Sequence, residues 1–226
     1  MPQAGIHALS GTMVSRFVPK KEWFMLGIVF GTIFPDTDNL AVAVATVTGG
    51  ATEGLHRTFT HSIIVIVGLI LLFNIIGKAV KKQKISNFGT GLGIGMIMHI
   101  LFDLIIWFNG VEVLWPFGGW VNFWESASPS KWWMDLMMTA EFLFFGLFFF
   151  WLYQTAKKDN TNSDSLPNLK IHIYVQMTLF VIFTVLVYVM KSGFMTPYGA
   201  LYLDSLGIAY YFVFKMKETV ERITSS

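Results

Sequence analysis

Long apolar runs separated by short polar segments extend along most of the chain. The clearest runs cover about residues 62–77, 87–108, 133–153 and 171–190, and a further run, 194–214, follows the Lys191-Ser192-Gly193 turn. A helix needs roughly 20 mostly apolar residues to cross a bilayer, and these runs approach that length. The pattern therefore predicts an all-α fold, a polytopic bundle of transmembrane helices.

Two shorter runs precede these spans. Residues 4–18 have helical character and stop at Pro19, whereas the apolar run from Trp23 to Phe34 ends at Pro35. Neither is long enough to span a bilayer unaided, so we expect a short helical hairpin packed against the longer helices. With this hairpin, the bundle has about six to seven membrane-embedded helices.

Two other runs have a predictable placement. Residues 39–55 include a brief apolar run that is closed by Gly49-Gly50 and is too short to cross. We therefore expect the chain to stay on one side of the membrane between Asp36 and His56. The Phe-rich run 142–150 is predicted to face lipid.

The composition indicates a single membrane-embedded domain over residues 1–226. Apolar residues make up 54% of the chain and charged residues 13%, which is typical of membrane proteins, so a lipid bilayer is the expected environment. The net charge of +2 is too small to indicate a nucleic-acid partner. No cleavable signal peptide is evident, so the first helices would target the chain themselves. Because cysteine is absent, a metal ion would have to bind His, Asp, Glu or backbone oxygen.

The basic residues are unevenly distributed between the polar connections. Thirteen of the sixteen lysines and arginines lie in the 16–21 turn, the 78–86 and 154–170 connections and the C-terminal segment. Because basic residues favour the cytoplasmic side, we predict a multi-pass protein of the inner (plasma) membrane with a cytoplasmic C-terminus. The basic residues left for the outer side are Arg57, Lys131 and Lys191.

The segment from His56 to Ser62 concentrates polar side chains at the mouth of a predicted span. It holds two of the five histidines of the chain, together with Arg57. Thr60 has the position of an N-cap, which would leave His56 in the preceding loop and His61 in the first helical turn, both facing one centre. A helix N-terminus attracts anions, and Arg57 has the geometry to hold a phosphate through two hydrogen bonds.

Two further motifs carry ligand-type side chains. His99 and Asp103 are spaced i,i+4 and share one helix face, and ionisable side chains within a span are usually functional. The alternative is a hydrogen-bonded pair between helices. Asp36 and Asp38 follow the proline that ends an apolar run, and the alternative there is a solvated turn. The charge-based orientation brings all these motifs to the outer side, which predicts a single metal site.

Weaker candidates lie near the predicted site. His7 reaches the outer side if the N-terminal hairpin forms, and Asp135, early in a later span, is a candidate ligand or base. Six of the eight tryptophans lie in or beside residues 109–132, and tryptophan prefers the headgroup zone, so this loop is expected to lie flat at the outer interface. Glu141 and Asp204 lie deeper and are candidates for a structural or proton-handling pair.

The order of the motifs resembles a known family. Gly31-x-x-x-Pro35-Asp36-x-Asp38 precedes His56-Arg57-x-x-Thr60-His61-Ser62, and His99-x-x-x-Asp103 and Leu114-Trp115-Pro116-Phe117 follow. In this combination, about residues 4–120 resemble the LexA-binding, inner-membrane-associated family of metal-dependent hydrolases. Thr58 departs from that family, which often has glycine there. The resemblance implies a metal centre built from His7, Asp36, Asp38, His56, His61, His99 and Asp103.

The sequence thus favours a membrane-bound metal-dependent hydrolase of phosphate esters, and the tryptophan-rich loop suggests a phospholipid-like substrate. Zinc is the expected ion because the ligands mix histidine and aspartate, and Arg57 and Asp135 are the candidate catalytic residues. One alternative is a metal-ion or proton transporter, for which Glu141 and Asp204 would begin a path to the cytoplasm. Another is a non-catalytic structural or regulatory membrane protein. Zincin, Gly-x-Ser-x-Gly and Walker sequences do not occur, which argues against the enzyme classes that use them.

Overall fold

The structure is a computed structural model that describes residues 4–106, 110–190 and 193–222. Trp107 and Phe108, at the end of a predicted span, and Lys191 and Ser192, in the predicted turn, lie outside the described residues.

The described chain is mostly helical. Its α-helices are α1 (Ala4–Met13), α2 (Phe24–Ile33), α3 (Asn39–Thr48), α4 (Ile63–Ala79), α5 (Gln83–Ile106), α6 (Lys131–Asp159), α7 (Leu166–Val189), α8 (Met195–Lys215) and α9 (Lys217–Arg222). Short 3-10 helices cover Val14–Phe17, Phe34–Asp38, Phe59–His61 and Ser163–Ser165. A single β-type bridge joins Val111 and Val121 in the loop after α5. The predicted all-α class is confirmed.

Several of these helices have the length and apolar composition of membrane spans. Within the described ranges, the stretches that qualify are Phe24–Thr48, Gln83–Ile106, Lys131–Asp159 and Ser163–Val189. The first of these joins α2 and α3 through Phe34–Asp38, where the sequence had predicted two separate short runs. The apolar helix α4 is shorter, with 17 residues. The fold is therefore that of a membrane protein with several apolar helices.

The predicted N-terminal hairpin is present as α1 and α2. A Cβ atom on Gly11 of α1 would lie 2.5 Å from the Oγ1 atom of Thr32 on α2, so the two helices are in close contact. On its other side α1 touches α6, where a Cβ atom on Gly5 would lie 2.7 Å from the backbone nitrogen of Phe145. The hairpin is thus packed among longer helices, and it carries His7 into the bundle with 1% of its surface exposed.

Glycines bring α2 and α5 into backbone contact. They form two pairs with i,i+4 spacing, Gly27 with Gly31 on α2 and Gly91 with Gly95 on α5. A Cβ atom on Gly31 would lie 2.2 Å from the carbonyl oxygen of Leu92 on α5, so there is no space for any side chain there. Small residues at this spacing allow membrane helices to approach closely, and here they set the end of α2 directly against the histidine-bearing part of α5.

Helix α6 is central, and this corrects the prediction that residues 142–150 face lipid. Four of its phenylalanines are fully buried: Phe142, Phe145, Phe148 and Phe149. The Phe142 ring lies 5.3 Å, centroid to centroid, from both Phe183 of α7 and Tyr198 of α8. The helical period puts these residues on one face, which α7 and α8 cover, whereas Phe150 on the opposite face is 46% exposed.

The two ends of the bundle have different chemistry. At one end the Nζ atom of Lys84 donates to Glu22 at 3.0 Å, and Glu221 of α9 accepts hydrogen bonds from the backbone nitrogens of Trp23 and Leu26. These contacts tie α9 and the start of α5 to the start of α2. The opposite end contains Phe34–Asp38, the start of α4 and the end of α5, and it is there that the histidines and aspartates meet.

Candidate metal centre

Segments that are distant in sequence deliver histidines and aspartates to the same end of the bundle. The most buried of these side chains, each at most 2% exposed, are His7, Asp36, His61, His99 and Asp103. Asp38 and His56 lie at the edge of the cluster, with 7% and 20% of their side-chain surface exposed. Ionisable groups are costly to bury unless they are paired or bind a metal ion, so the contacts within this cluster decide what it can do.

The orientation of His99 is set by the backbone of α2. Its Nδ1 atom donates to the carbonyl oxygen of Thr32 at 2.8 Å, which leaves the lone pair of Nε2 directed into the cluster. There Nε2 lies 3.0 Å from Nε2 of His61 and 4.0 Å from Oδ1 of Asp36. A hydrogen bond of this kind to one ring nitrogen is the usual way in which a protein prepares the other nitrogen for a metal.

Asp38 organises the loop that carries the first two histidines. Its Oδ1 atom accepts from Nδ1 of His56 at 2.7 Å. Its Oδ2 atom accepts from the backbone nitrogen of Arg57 at 2.9 Å and from the hydroxyl of Thr60 at 3.0 Å, and it lies 3.3 Å from Nδ1 of His61. One carboxylate therefore holds both imidazoles by their Nδ1 atoms, so that both Nε2 atoms are turned away from it.

The contacts of Thr60 correct the predicted start of α4. Thr60 does not cap the helix, because it lies inside the 3-10 helix Phe59–His61 and its hydroxyl is bound to Asp38. Ser62 caps α4 instead, accepting from the backbone nitrogen of Ile64 at 3.2 Å and donating to the carbonyl of Trp115 at 2.8 Å. His61 therefore precedes the first helical turn, which places its imidazole at the centre of the cluster.

His7 joins the cluster from α1. Its Nε2 atom lies 3.1 Å from Oδ1 of Asp103, and its ring stacks on that of His99 with centroids 3.7 Å apart. The other oxygen of Asp103, Oδ2, lies 3.5 Å from Nε2 of His61. The i,i+4 pair of α5 is thus shared between the N-terminal helix and the loop before α4, as a common centre requires.

The ligand-type atoms form overlapping groups. Within each group they lie within 4.8 Å of one another, and the groups are His7 with His99 and Asp103, Asp36 with His61 and His99, and Asp36 with Asp38 and His56. His99 belongs to two groups and so does Asp36, so the groups make one continuous row of ligand positions. In the described part of the chain, Oδ2 of Asp36, Nε2 of His56 and Nδ1 of His7 are buried without a hydrogen-bond partner.

The charge state of His61 follows from its two acidic neighbours. Burial alone would lower the pKa of this imidazole, but hydrogen bonds to Asp103 and Asp38, together with their charges, raise the pKa to about 9. The raised pKa favours the doubly protonated imidazole, with Nδ1 directed at Asp38 and Nε2 lying 3.0 Å from Nε2 of His99 and 3.5 Å from Oδ2 of Asp103. Metal ions bind neutral imidazole, so occupation of this position requires release of the Nε2 proton.

Arg57 brings a positive charge to the same cluster. It is 3% exposed and has a left-handed backbone conformation with φ 64°. Its Nε atom lies 3.3 Å from Oδ2 of Asp103, and its carbonyl accepts from the backbone nitrogen of Glu112 at 2.9 Å. The guanidinium is thus held against the predicted ligands, at the point where the loop after α5 meets the loop before α4.

The loop after α5 lies beside the cluster, as predicted. The backbone nitrogen of Ile63 donates to the carbonyl of Val113 at 2.9 Å, which fastens this loop to the start of α4. Several of its large apolar side chains are exposed, among them Phe117 at 86% and Trp120 at 53%. Aromatic side chains exposed in this way are typical of the headgroup zone of a bilayer.

The other predicted residues lie outside this row of ligands. Asp135 on α6 accepts from Lys131 at 2.5 Å, one turn earlier, and belongs to none of the three groups, so its role as a ligand or base stays a prediction. Glu141 is fully buried and accepts from the backbone nitrogen of Gly5 at 2.8 Å, whereas Asp204 on α8 is exposed. The predicted pairing of Glu141 with Asp204 is therefore not present.

Comparison with known proteins identifies the family of the chain. A family model described as "YdjM inner membrane protein" matches residues 1–195. The matched range contains every histidine and aspartate of the cluster and extends beyond the motif-bearing residues 4–120. No curated protein and no solved structure matches the chain.

Proposed function

This chain belongs to the YdjM inner membrane protein family, and we propose that it is a membrane-bound metal-dependent hydrolase, with phosphate esters that carry a lipid portion as its substrates. The observation that carries this proposal is the row of buried ligand atoms at one end of the bundle, set against a buried guanidinium. Arg57 lies within 3.3 Å of Asp103 in that row, so ligands for a cation and a donor for an anion occur side by side.

The side chains fit a divalent cation. Oδ2 of Asp36 and Nε2 of His56 are buried without hydrogen-bond partners in the described residues, and the hydrogen bond from His99 to Thr32 leaves the His99 Nε2 lone pair available. A donor set of imidazole nitrogen and carboxylate oxygen without sulfur favours zinc. When bound, such an ion would supply Lewis-acid activation of water near neutral pH.

Residues of the chain would orient the ligands and bind the phosphate. Asp38 holds His56 and His61 in place through their Nδ1 atoms, and the Thr32 carbonyl does the same for His99. Arg57 would stabilise the charge on the phosphoryl oxygens, as fixed cationic donors do in enzymes of this class. Arg57 is buried and its backbone nitrogen donates to Asp38. Its guanidinium would therefore need little rearrangement when a phosphate binds.

The lipid portion of the substrate is supported by the surroundings of the cluster. The neighbouring loop exposes Phe117, Trp120 and Phe123, and its backbone is joined to Arg57 through Glu112. A substrate that lies in the headgroup zone would therefore meet this aromatic surface beside the guanidinium. A soluble phosphate ester would gain nothing from it.

The same proposal includes the finer topology. About six to seven membrane-embedded helices would place the cluster near the outer face and the C-terminus in the cytoplasm. The bundle supports this arrangement because the lysine-bearing turn between α4 and α5 and the α9 segment lie together at the end opposite the cluster.

The direct test is metal-dependent turnover by purified protein in lipid nanodiscs. We expect phosphate release from short-chain phosphatidic acid to require added zinc, to disappear in His99→Ala and to persist in the control Lys157→Ala. Absence of turnover in protein that carries stoichiometric zinc would reject the hydrolase. If the same protein in proteoliposomes moves zinc, and His99→Ala abolishes that flux, the transporter alternative would replace it.

A further inference from the structure

A groove opens at the end of the bundle opposite the histidine–aspartate cluster. It has a volume of about 560 Å³ and lies between the start of α2, the end of α4, the start of α5 and the end of α8. Aromatic side chains form much of its lining, among them Trp23, Phe73, Phe88 and Phe214, and Lys217 of α9 also borders it. Ligand pockets in proteins have volumes of roughly 300–1,000 Å³, so the groove is large enough to hold a ligand.

The lining selects for hydrocarbon. Apart from Lys217, every residue that borders the groove is apolar or, like Trp23, aromatic. Two of these residues, Ile76 and Phe214, are 38% and 45% exposed, so the groove is open on the apolar outer surface of the bundle. An acyl chain can therefore enter from the side, whereas a polar solute would find few hydrogen-bond partners inside.

The rim of the groove selects for negative charge. The Nζ atom of Lys84 lies 4.6 Å from the centre of the Trp23 ring and 3.0 Å from Glu22. Lys217 borders the groove and is exposed. Further lysines lie close by, Lys78 in the last turn of α4 and Lys81 and Lys82 in the short connection to α5.

The neighbouring acidic groups are already engaged. Glu22 pairs with Lys84, and Glu218 with Arg222 at 2.8 Å. Glu221 accepts from the backbone nitrogens at the start of α2. The lysines therefore outnumber the carboxylates at this rim, and most of the carboxylates have partners. Basic pockets between membrane helices are a recurring way of holding anionic headgroups.

We propose that this groove is a binding site for an anionic phospholipid, with an acyl chain among Trp23, Phe73, Phe88 and Phe214 and the phosphate at Lys217 and Lys84. Trp23 lies where the acyl chain and the phosphate of the lipid would meet, because its ring borders the apolar groove and also lies under the Lys84 ammonium. The bound lipid joins α2, α4, α5 and α8 at the end of the bundle remote from the cluster. This site is separate from the proposed substrate site and does not depend on hydrolase activity.

The test uses the full-length protein in mild detergent and compares phosphatidylglycerol with phosphatidylcholine of the same acyl chains. Thermal unfolding should shift upward more with phosphatidylglycerol, and native mass spectrometry should show one such lipid retained after delipidation. Lys217→Ala should lower retention several-fold, and Ile76→Trp, which fills the open side, should lower retention of both lipids. The matched control is Lys158→Ala, an exposed lysine in the last turn of α6 that does not border the groove.

Each other outcome overturns the proposal. Equal retention of the two lipids would remove the headgroup site, and an equal loss in Lys158→Ala would reduce the effect to general surface charge. The same thermal shift with glycerol 3-phosphate, which has no acyl chains, would show a simple anion site. Lys217 is exposed, so its substitution leaves the folded protein available even where Ile76→Trp does not fold.

Discussion

The Nδ1 atom of His99 on α5 lies 2.8 Å from the carbonyl oxygen of Thr32 on α2. This bond couples the chemistry of the cluster to the packing of two helices, because it forms only if their backbones are in contact. Gly31 and Gly95 make that contact possible, since a Cβ atom on either one would lie 2.2 Å from a backbone oxygen of the facing helix.

Substitution of Gly31 by alanine should therefore damage the site from a distance. The added methyl group would overlap the Leu92 carbonyl, so we expect a loss of about 1–3 kcal/mol of stability, as in other overpacked cores, and a weaker metal site because His99 moves away from Thr32. Thermal unfolding and bound zinc would be measured on the purified protein.

The matched control for Gly31→Ala is Gly68→Ala on α4. A Cβ atom there meets nothing within 4 Å, and alanine is favoured over glycine in a helix by about 1 kcal/mol. Gly68→Ala should have the wild-type stability or a slightly higher one, with full zinc content. Wild-type stability and zinc content in Gly31→Ala would show that the metal site does not need the close contact of α2 and α5.

Much of the cluster was accessible from the sequence because its ligands lie in recognisable motifs. The spacing of His99 and Asp103 placed both on one helix face, and the structure has both there, buried against His7 and His61. The role of the Thr32 carbonyl could not be recognised from the sequence, because every residue has a backbone carbonyl. The glycine pairs of α2 and α5 carried the missing information, because small residues with that spacing predict the contact that brings the carbonyl to His99.

The errors arose where tertiary contacts outweighed local preference. Thr60 is a good N-cap by type, but Asp38 lies 22 positions earlier in the chain and takes its hydroxyl, so Ser62 caps α4 instead. The phenylalanines of α6 are as apolar as a lipid-facing surface would require. Their burial by α7 and α8 depends on how the helices are arranged, which the hydrophobicity of a single segment does not reveal.

Metal content should depend on the shared ligands. His61→Ala, His99→Ala and Asp103→Asn each remove a group that contacts at least one of the others within 3.8 Å. We expect each substitution to lower bound zinc sharply in plasma emission measurements on purified protein. A chelator should also lower the unfolding temperature of the wild type, since a ligand bound only by the folded state stabilises it. If carefully purified wild-type protein contained zinc only at the background level, the proposed metal centre would be ruled out.

Asp38→Asn tests the role of the residue that orients two histidines. Asparagine keeps a carbonyl oxygen but loses the charge and one of the two acceptors that serve His56, Arg57 and Thr60. Loss of an orienting contact typically weakens a metal site by about 10- to 100-fold, and we expect a fall of that size in competition with a zinc-sensitive dye. The control is the exposed Asp204→Asn, which should bind as the wild type does. Equal affinity of both variants would contradict this role.

The topology can be tested by labelling, because the chain has no cysteine of its own. A cysteine in place of Gly119, in the exposed loop beside the cluster where a Cβ atom meets nothing within 4 Å, should react with an impermeant thiol reagent in intact cells. A cysteine in place of Ser163, in the turn before α7 at the other end, should react only after lysis. Reversed labelling of the two would place the cluster on the cytoplasmic side.

Arg57→Lys separates phosphate chemistry from metal binding. Lysine keeps a positive charge near Asp103, which Nε of Arg57 approaches to 3.3 Å, so bound zinc should stay near the wild-type level. The planar fork that can hold two phosphoryl oxygens is lost, and turnover of short-chain phosphatidic acid should fall by roughly ten- to a thousand-fold, as on removal of a transition-state donor. Turnover should fall further in Arg57→Ala and should stay near the wild-type rate in His172→Ala on α7.

If Arg57 were only an anchor for the loop, its backbone bonds to Asp38 and Glu112 would persist in the lysine variant. Wild-type turnover by Arg57→Lys at equal zinc content would therefore remove the phosphate clamp from the mechanism.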